Sequence, residues 1–173
     1  MAKKDAVFSK KKGRGEENPA VRGDGGGDNV NISQEDFLVA LNVDLAHEYG
    51  AVITYRTFAS QVQGQWRMEL SQFFEAEIPD ELGHAKILAD KIVSLGGVPT
   101  TVPSAVKSAN DAKEMLRNAL EDEIETIGRY VLRRKQAEAL GHYGLAVDLD
   151  DLIRDESNHR DEIQMLLRRW DTG

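Results

Sequence analysis

The sequence contains no cysteine, which excludes disulfide bonds, thiolate metal sites, iron–sulfur clusters and cysteine nucleophiles. It also contains no apolar run near the roughly 20 residues that span a bilayer. Lysines occur at the N-terminus, but the apolar stretch of a secretory signal does not follow them. We therefore expect a cytoplasmic protein that makes no use of a membrane.

Basic residues are few in most of the chain and concentrate near its start. Residues 1–14 hold six Lys or Arg against one Asp, whereas residues 31–173 hold 15 basic and 25 acidic side chains. Residues 1–30 offer little apolar surface to bury, which predicts a disordered tail before a single domain at 31–173. The basic tip is either a DNA-binding arm, through residues 1–14, or a solubilising or localising extension.

Apolar residues recur with the period of a helix in four long segments, and no segment reads as a strand. The predicted helices cover about 33–62, 65–95, 107–140 and 145–170. Ser33 and Asp36 resemble a capping box at the first start, and "LGGVP" ends the second helix with glycine and then proline. Rods of this length predict an all-α, antiparallel four-helix bundle, with a long crossover between its second and third helices.

Each predicted helix carries one glutamate on its inner, apolar stripe. Glu48, for example, lies three residues after Leu45 and four before Val52. Two of the four glutamates are followed by histidine one turn later. The full set is Glu48, then Glu81 with His84, then Glu123, then Glu156 with His159. The two glutamates of each helix pair are 33 residues apart in both halves, which predicts two similar helix pairs around a pseudo-twofold axis.

Buried carboxylates of this kind need neutralisation, because an unpaired buried charge costs several kcal/mol. Two divalent cations would neutralise four carboxylates, and mixed carboxylate and imidazole ligands favour iron or manganese over a closed structural zinc site. A single Glu-x-x-His on a helix is more often part of a solvated ion-pair face. Two copies on inner stripes, each preceded by an inner glutamate at the same spacing, predict a di-metal carboxylate centre.

The segments "DLAHEYGAVITY", "DELGHA", "MLRNALEDEIE" and "IRDESNH" resemble the ferritin-like superfamily, most closely the bacterioferritins, over about 33–170. The resemblance implies a ferroxidase centre that binds two iron ions per subunit, with manganese as an alternative. It implies terminal ligands on one ion from Glu48 and His84, terminal ligands on the other from Glu123 and His159, and bridges from Glu81 and Glu156. Tyr55 matches a tyrosine near the bacterioferritin centre, and is either an electron donor or a core aromatic residue.

Three features depart from the bacterioferritin pattern. Leu82 stands where bacterioferritins carry a haem-binding methionine, so we expect no haem. The short fifth helix of the 24-subunit cages is missing, which makes a 12-subunit shell like that of the DNA-protecting mini-ferritins an alternative. Those shells usually build their iron site between subunits, whereas all six ligands here lie in one chain. Pro79 falls inside the second helix, where it either kinks the chain beside Glu81 or is tolerated.

The sequence therefore predicts an enzyme, a ferroxidase that oxidises Fe(II) with O2 or H2O2 and stores or detoxifies iron in an oligomeric shell of 12 or 24 subunits. The acidic body suits the capture of cations. Two alternatives remain open at this point. One is a dimeric di-iron or di-manganese peroxidase or catalase without storage, and the other is a DNA-binding mini-ferritin that acts through its basic tail.

Overall fold

Four long α-helices make up the structure, which is a computed structural model that describes residues 30–168 and residue 170. The helices are α1 (Gln34–Gln61), α2 (Arg67–Ser94), α3 (Ala112–Ala139) and α4 (Tyr143–Leu167). The predicted all-α four-helix bundle is confirmed, and the described residues form no strand. The same part of the chain has no helix long and apolar enough to cross a membrane. The predicted disordered tail and its DNA contacts through residues 1–14 lie outside the described residues.

The helices are arranged around the bundle in the order α1, α2, α4, α3. Extensive packing joins α1 to α2 and α3 to α4, and narrower contacts join α1 to α3 and α2 to α4. The α1–α3 face is therefore opposite the α2–α4 face. Residues 95–111, which we call the crossover, connect α2 to α3.

Helix ends follow the predicted capping chemistry, with one correction. Ser33 caps α1 by accepting a hydrogen bond from the Asp36 N–H at 3.0 Å. At the end of α2, Gly96 adopts a φ of 82°. The N–H of Gly97 then reaches the carbonyl oxygen of Ile92 at 2.9 Å, which satisfies a terminal carbonyl. Pro79 lies within α2, which is continuous across it.

Helix α3 begins at Ala112, so the predicted start near residue 107 is wrong. The Asp111 side chain accepts a hydrogen bond from the Glu114 N–H at 2.9 Å and caps the helix there. The Glu114 carboxylate in turn accepts the Asn110 N–H at 2.7 Å. These side-chain bonds fix the backbone before Ala112 in an extended form, and Lys107 remains in the crossover.

The apolar core is divided into two clusters, one toward each end of the bundle. One cluster contains Phe37, Leu41, Leu45, Leu88, Ile92, Leu149 and their neighbours. The other contains Tyr55, Phe58, Phe74, Leu116, Ile163 and their neighbours. Burial of each large apolar side chain contributes about 1.5–3 kcal/mol. The predicted inner glutamates lie between the two clusters along every helix.

A buried ion pair also joins α1 to α3 close to this middle layer. Asp44, one turn before Glu48, accepts a hydrogen bond from Arg133 Nε at 2.6 Å, and both side chains are buried. Arg133 also donates to the Gln136 side chain at 2.5 Å. Arg133 therefore has hydrogen-bond partners on both sides, which offset part of the cost of burying its charge.

The crossover lies unusually close to α1 at Gly50. A Cβ atom at Gly50 would lie 2.2 Å from the Ser104 hydroxyl oxygen. The Ser104 N–H also donates to the Ala46 carbonyl oxygen of α1 at 2.7 Å. At position 50, alanine is the better helix former, but its Cβ would overlap the Ser104 hydroxyl, so the Ser104 side chain would have to shift.

Gly50→Ala is expected to lower the free energy of unfolding by about 1–3 kcal/mol, through this overlap. Adding Ser104→Ala should restore it, because the other Ser104 atoms near the new Cβ lie at 3.4 and 3.5 Å. The double variant should also gain about 0.5–1 kcal/mol of stability, because alanine favours the helical conformation more than glycine does. Denaturant unfolding of the four proteins measures this coupling, and equal losses in the single and double variants would contradict it.

Candidate metal centre

All six side chains predicted as metal ligands meet in the middle of the bundle. Their ligand atoms form two groups, and within each group the atoms lie within 4.8 Å of one another. The first group is Glu48, Glu81, His84 and Glu156, and the second is Glu81, Glu123, Glu156 and His159. Every member is at most 8% exposed. Glu81 and Glu156 belong to both groups, which is the position that the sequence analysis gave to bridging ligands.

The two imidazoles direct their Nδ1 atoms toward the carboxylates. His84 Nδ1 lies 3.1 Å from Glu156 Oε1 and 3.5 Å from Glu48 Oε2. His159 Nδ1 lies 3.2 Å from Glu156 Oε2. The imidazole rings are nearly parallel, with centroids 6.3 Å apart. Each group of carboxylates therefore includes one imidazole nitrogen.

The ligand atoms that converge on the centre lack hydrogen-bond partners among the described residues. These buried atoms are Glu48 Oε2, both oxygens of Glu156, His84 Nδ1 and His159 Nδ1. Buried polar atoms are normally satisfied, because an unsatisfied one costs about 1–3 kcal/mol. Divalent cations would satisfy all of them at once, and carboxylate with imidazole is a donor set suited to iron or manganese. The residues present fit a two-metal site.

The environment of the centre raises the pKa values of some of its acids and lowers that of another. Burial, followed by the charge of Glu156, raises the pKa of Glu81 and of Glu123 well above the ordinary value. Burial opposes ionisation of Glu156 too, but its contacts with His159 and His84 outweigh burial and lower its pKa to about 2. Burial likewise disfavours the His84 cation, but Glu156 and Glu48 outweigh it and raise the His84 pKa. Without metal, these pKa shifts favour an ionised Glu156 beside the protonated forms of Glu81, Glu123 and His84.

Two buried tyrosines hold the outer oxygens of the terminal carboxylates. Tyr130 donates its hydroxyl hydrogen to Glu48 Oε1 at 2.5 Å, and Tyr55 donates to Glu123 Oε1. Burial raises the pKa of both phenols, so both remain neutral donors. Each tyrosine leaves the second oxygen of its carboxylate directed at the centre.

Tyr130 was not among the predicted site residues, although the sequence holds the signal for its role. Tyr55 follows Glu48 by seven residues, and Tyr130 follows Glu123 by seven. Each tyrosine therefore bonds the glutamate of the opposite half of the chain. The repeat that relates the glutamates also relates the tyrosines.

Further carboxylates contact the outer nitrogens of the imidazoles. His159 Nε2 lies 3.0 Å from the buried Glu77 Oε2 and 3.6 Å from Asp80 Oδ2. His84 Nε2 lies 3.8 Å from Asp155 Oδ2. A carboxylate at the outer nitrogen fixes the ring and leaves the inner nitrogen free to bind a metal. Glu77 lies one turn before Glu81 and three residues after Phe74, and it was not among the predicted site residues.

The sequence matches the family model of the ferritin-like domain over residues 38–172. The chain belongs to this family. A similar solved structure is a ferritin-like diiron-carboxylate protein from Bacillus anthracis str. Ames, with 48% identity and a TM-score of 0.77, covering 79% of this chain and 99% of that one. The predicted resemblance to ferritin-like proteins is thus confirmed.

Two more distant structures support the fold alone. A Dps protein from Bacillus brevis has 22% identity and a TM-score of 0.73, covering 78% of this chain and 96% of its own. A dodecameric thioferritin, the bacterioferritin-related protein from Bacteroides fragilis, has 23% identity and a TM-score of 0.73, covering 82% and 89%. No curated protein matches the sequence.

The metal-free protein is expected to lose stability as the pH rises. Glu81 and Glu123 have raised pKa values in the fold, so their contribution is complete below the ordinary value of 4.5 and is lost as the pH passes the folded value. His84 acts in the same direction above its ordinary value of 6.5. Glu156 acts oppositely, but only as the pH falls toward 2.

Urea unfolding of the metal-free protein between pH 5 and 9 measures this decline, which we expect to reach about 1–3 kcal/mol. Saturating Mn(II) should offset the decline, because the cation favours the ionised carboxylates and binds only the folded protein. A stability that is independent of pH without metal would contradict the titration assigned to the centre.

Proposed function

We propose that this protein is a ferroxidase, which oxidises Fe(II) with O2 or H2O2 at the buried centre and stores or detoxifies the resulting iron. One observation carries the proposal. Two overlapping groups of four ligands share Glu81 and Glu156, as two neighbouring cations would require. The similarity to a protein described as a ferritin-like diiron-carboxylate protein supports the same chemistry.

In this proposal the six ligands have three roles. Glu48 and His84 are terminal ligands of one ion, Glu123 and His159 are terminal ligands of the other, and Glu81 and Glu156 bridge the two. Four carboxylates balance the charge of two divalent ions, which removes the electrostatic cost of burying the acids. Manganese is the alternative occupant, since it prefers the same ligands.

Bound iron supplies the electrons: two Fe(II) ions lose one electron each, and O2 with two protons becomes H2O2, or H2O2 with two protons becomes two water molecules. The protein side chains orient the ions and limit water. Tyr130 and Tyr55 fix the outer oxygens of Glu48 and Glu123 through hydrogen bonds, and the Glu77 carboxylate lies beside His159 Nε2. Tyr55 is also proposed as a source of an electron during turnover, since it bonds directly to Glu123.

Storage requires a closed shell, which we propose this protein forms with further copies of itself. Residues 31–173 carry 15 basic and 25 acidic side chains, so such a shell would attract Fe(II) by its negative potential. The thioferritin from Bacteroides fragilis is described as dodecameric. A dimer with the same centre would instead favour peroxide or oxygen chemistry without storage.

Glu81→Ala combined with Glu156→Ala is expected to abolish rapid Fe(II) oxidation, because both cations lose their shared ligands. Stopped-flow absorbance after mixing Fe(II) with oxygenated protein measures the rate. A matched control replaces Glu69 and Asp148, which are exposed acids on the same two helices, by alanine. Wild-type rates in the Glu81 and Glu156 double variant, with folding verified by circular dichroism, would exclude the centre as the oxidation site.

Light scattering of the purified full chain, with metal content measured on the same sample, tests the storage part of the proposal. A chain of 19.2 kDa should give about 230 kDa as a 12-subunit shell or about 460 kDa as a 24-subunit shell. Iron above two ions per chain would then indicate a mineral core. A dimer that holds about two ions per chain would exclude storage and leave the oxidation chemistry intact.

A further inference from the structure

A small cavity lies between α1 and α3, directly against the metal centre. Its volume is about 10 Å³, which is about the space that one water molecule needs. Three ligand carboxylates line it, together with small side chains of α1 and α3. The lining includes Glu81, Glu123, Glu156, Ala51, Thr54 and Thr126.

A wider cavity of about 90 Å³ follows toward the surface. It shares Ala51, Thr54, Asp122 and Thr126 with the inner cavity, so the two cavities adjoin across these side chains along the α1–α3 face. Its outer wall comes from the crossover, through residues that include Ser104, Ala105 and Lys107. A path of small side chains therefore runs from the crossover to the metal-binding carboxylates.

The crossover is fixed on both sides of this path. On the α1 side, the Ser104 N–H donates to the Ala46 carbonyl oxygen at 2.7 Å. On the α3 side, Lys107 Nζ lies 2.8 Å from Glu121 Oε2 and 2.8 Å from Asp122 Oδ1. The crossover therefore covers the space between α1 and α3 and is held there by bonds to both helices.

Both faces of the bundle carry acidic side chains close to the centre. Under the crossover, Asp122 lines both cavities and contacts Lys107, and Glu125 lines the wider cavity. On the α2–α4 face, Asp80 and Asp155 lie beside the outer nitrogens of the imidazoles. These charges attract a divalent cation, whereas an uncharged molecule is little affected by them, so for it the cavities under the crossover are the relevant route.

We propose that the oxidant, which is uncharged O2 or H2O2, reaches the metal centre through the space between α1 and α3 beneath the crossover. The inner cavity is the narrowest part of this path, and Ala51 controls passage because its side chain borders both cavities. This inference rests on the proposed ferroxidase function, so its test includes a measurement that needs no iron.

The iron-free measurement is a crystal structure of the metal-free protein under krypton pressure, since krypton occupies small cavities without chemistry. We expect a krypton atom between α1 and α3 under the crossover, and we expect Ala51→Leu to remove it. Krypton that enters the protein only elsewhere would overturn the path, whatever the protein does with iron.

The kinetic measurement compares Ala51→Val and Ala51→Leu with the wild type. Oxidation of Fe(II) by O2 should slow progressively with side-chain size, by about tenfold or more for leucine. Anaerobic Co(II) titration should still give two ions per chain, because neither substitution alters a ligand. Ala40→Leu is the matched control, a half-buried alanine of α1 that lines neither cavity, and it should leave both properties unchanged.

A second variant covers the case in which leucine at position 51 disturbs metal binding. Ala105→Phe places a larger side chain in the crossover wall of the wider cavity, which narrows the cavity, and changes no helix that carries a ligand. It should also slow oxidation while Co(II) binding is retained. Wild-type oxidation rates in Ala105→Phe, and in whichever Ala51 variant keeps two Co(II) ions, would overturn the proposal. A wild-type protein that binds Co(II) but never oxidises Fe(II) would instead overturn the ferroxidase function.

Discussion

Four carboxylates buried in the middle of a helical bundle are the constraint on which the rest of this structure depends. Each must be protonated, hydrogen-bonded or paired with a cation, because an unpaired buried charge costs several kcal/mol. The fold meets this need in part from its own side chains. Tyr130 and Tyr55 donate to Glu48 and Glu123, and two imidazoles contact Glu156. The oxygens that remain without partners face inward, so the same arrangement that tolerates the acids also builds a cation site.

The apolar core is organised around that polar layer. The two apolar clusters, one containing Phe37 and the other Phe58, lie on either side of the glutamates and hold all four helices in register. This rigidity matters because metal ligands need placement within a few tenths of an ångström. The Asp44–Arg133 pair adds a fixed link between α1 and α3 one turn from Glu48. The two apolar clusters therefore stabilise the fold, whereas the middle layer contributes little to stability without metal.

The sequence predicts the helices and the six ligands well, because both follow from periodicity on single helices. Glu48 lies on an apolar stripe, and a stripe is a local property. Tyr130 could have been recognised from its seven-residue offset after Glu123. The path of the crossover is harder to predict from the sequence, because it depends on contacts between distant residues, such as Gly50 with Ser104. The start of α3 was misplaced for a similar reason, because the side-chain bonds of Asp111 and Glu114 outweigh the helical pattern before them.

The pseudo-twofold axis exchanges α1 with α3 and α2 with α4, so it passes through both the α1–α3 face and the α2–α4 face. It can make the two cation positions alike while leaving these two faces different from each other. Asp80 and Asp155 obey the symmetry, being 75 residues apart and each beside the imidazole of the other half. Glu77 breaks it, because Leu152 occupies the equivalent position 75 residues later. The ligands are thus symmetric, but within the described part of the chain a buried carboxylate lies beside His159 Nε2, whereas the carboxylate beside His84 Nε2 is the partly exposed Asp155. Because a neighbouring carboxylate raises the basicity of an imidazole ligand, this asymmetry is a physical reason for the two cation positions to differ.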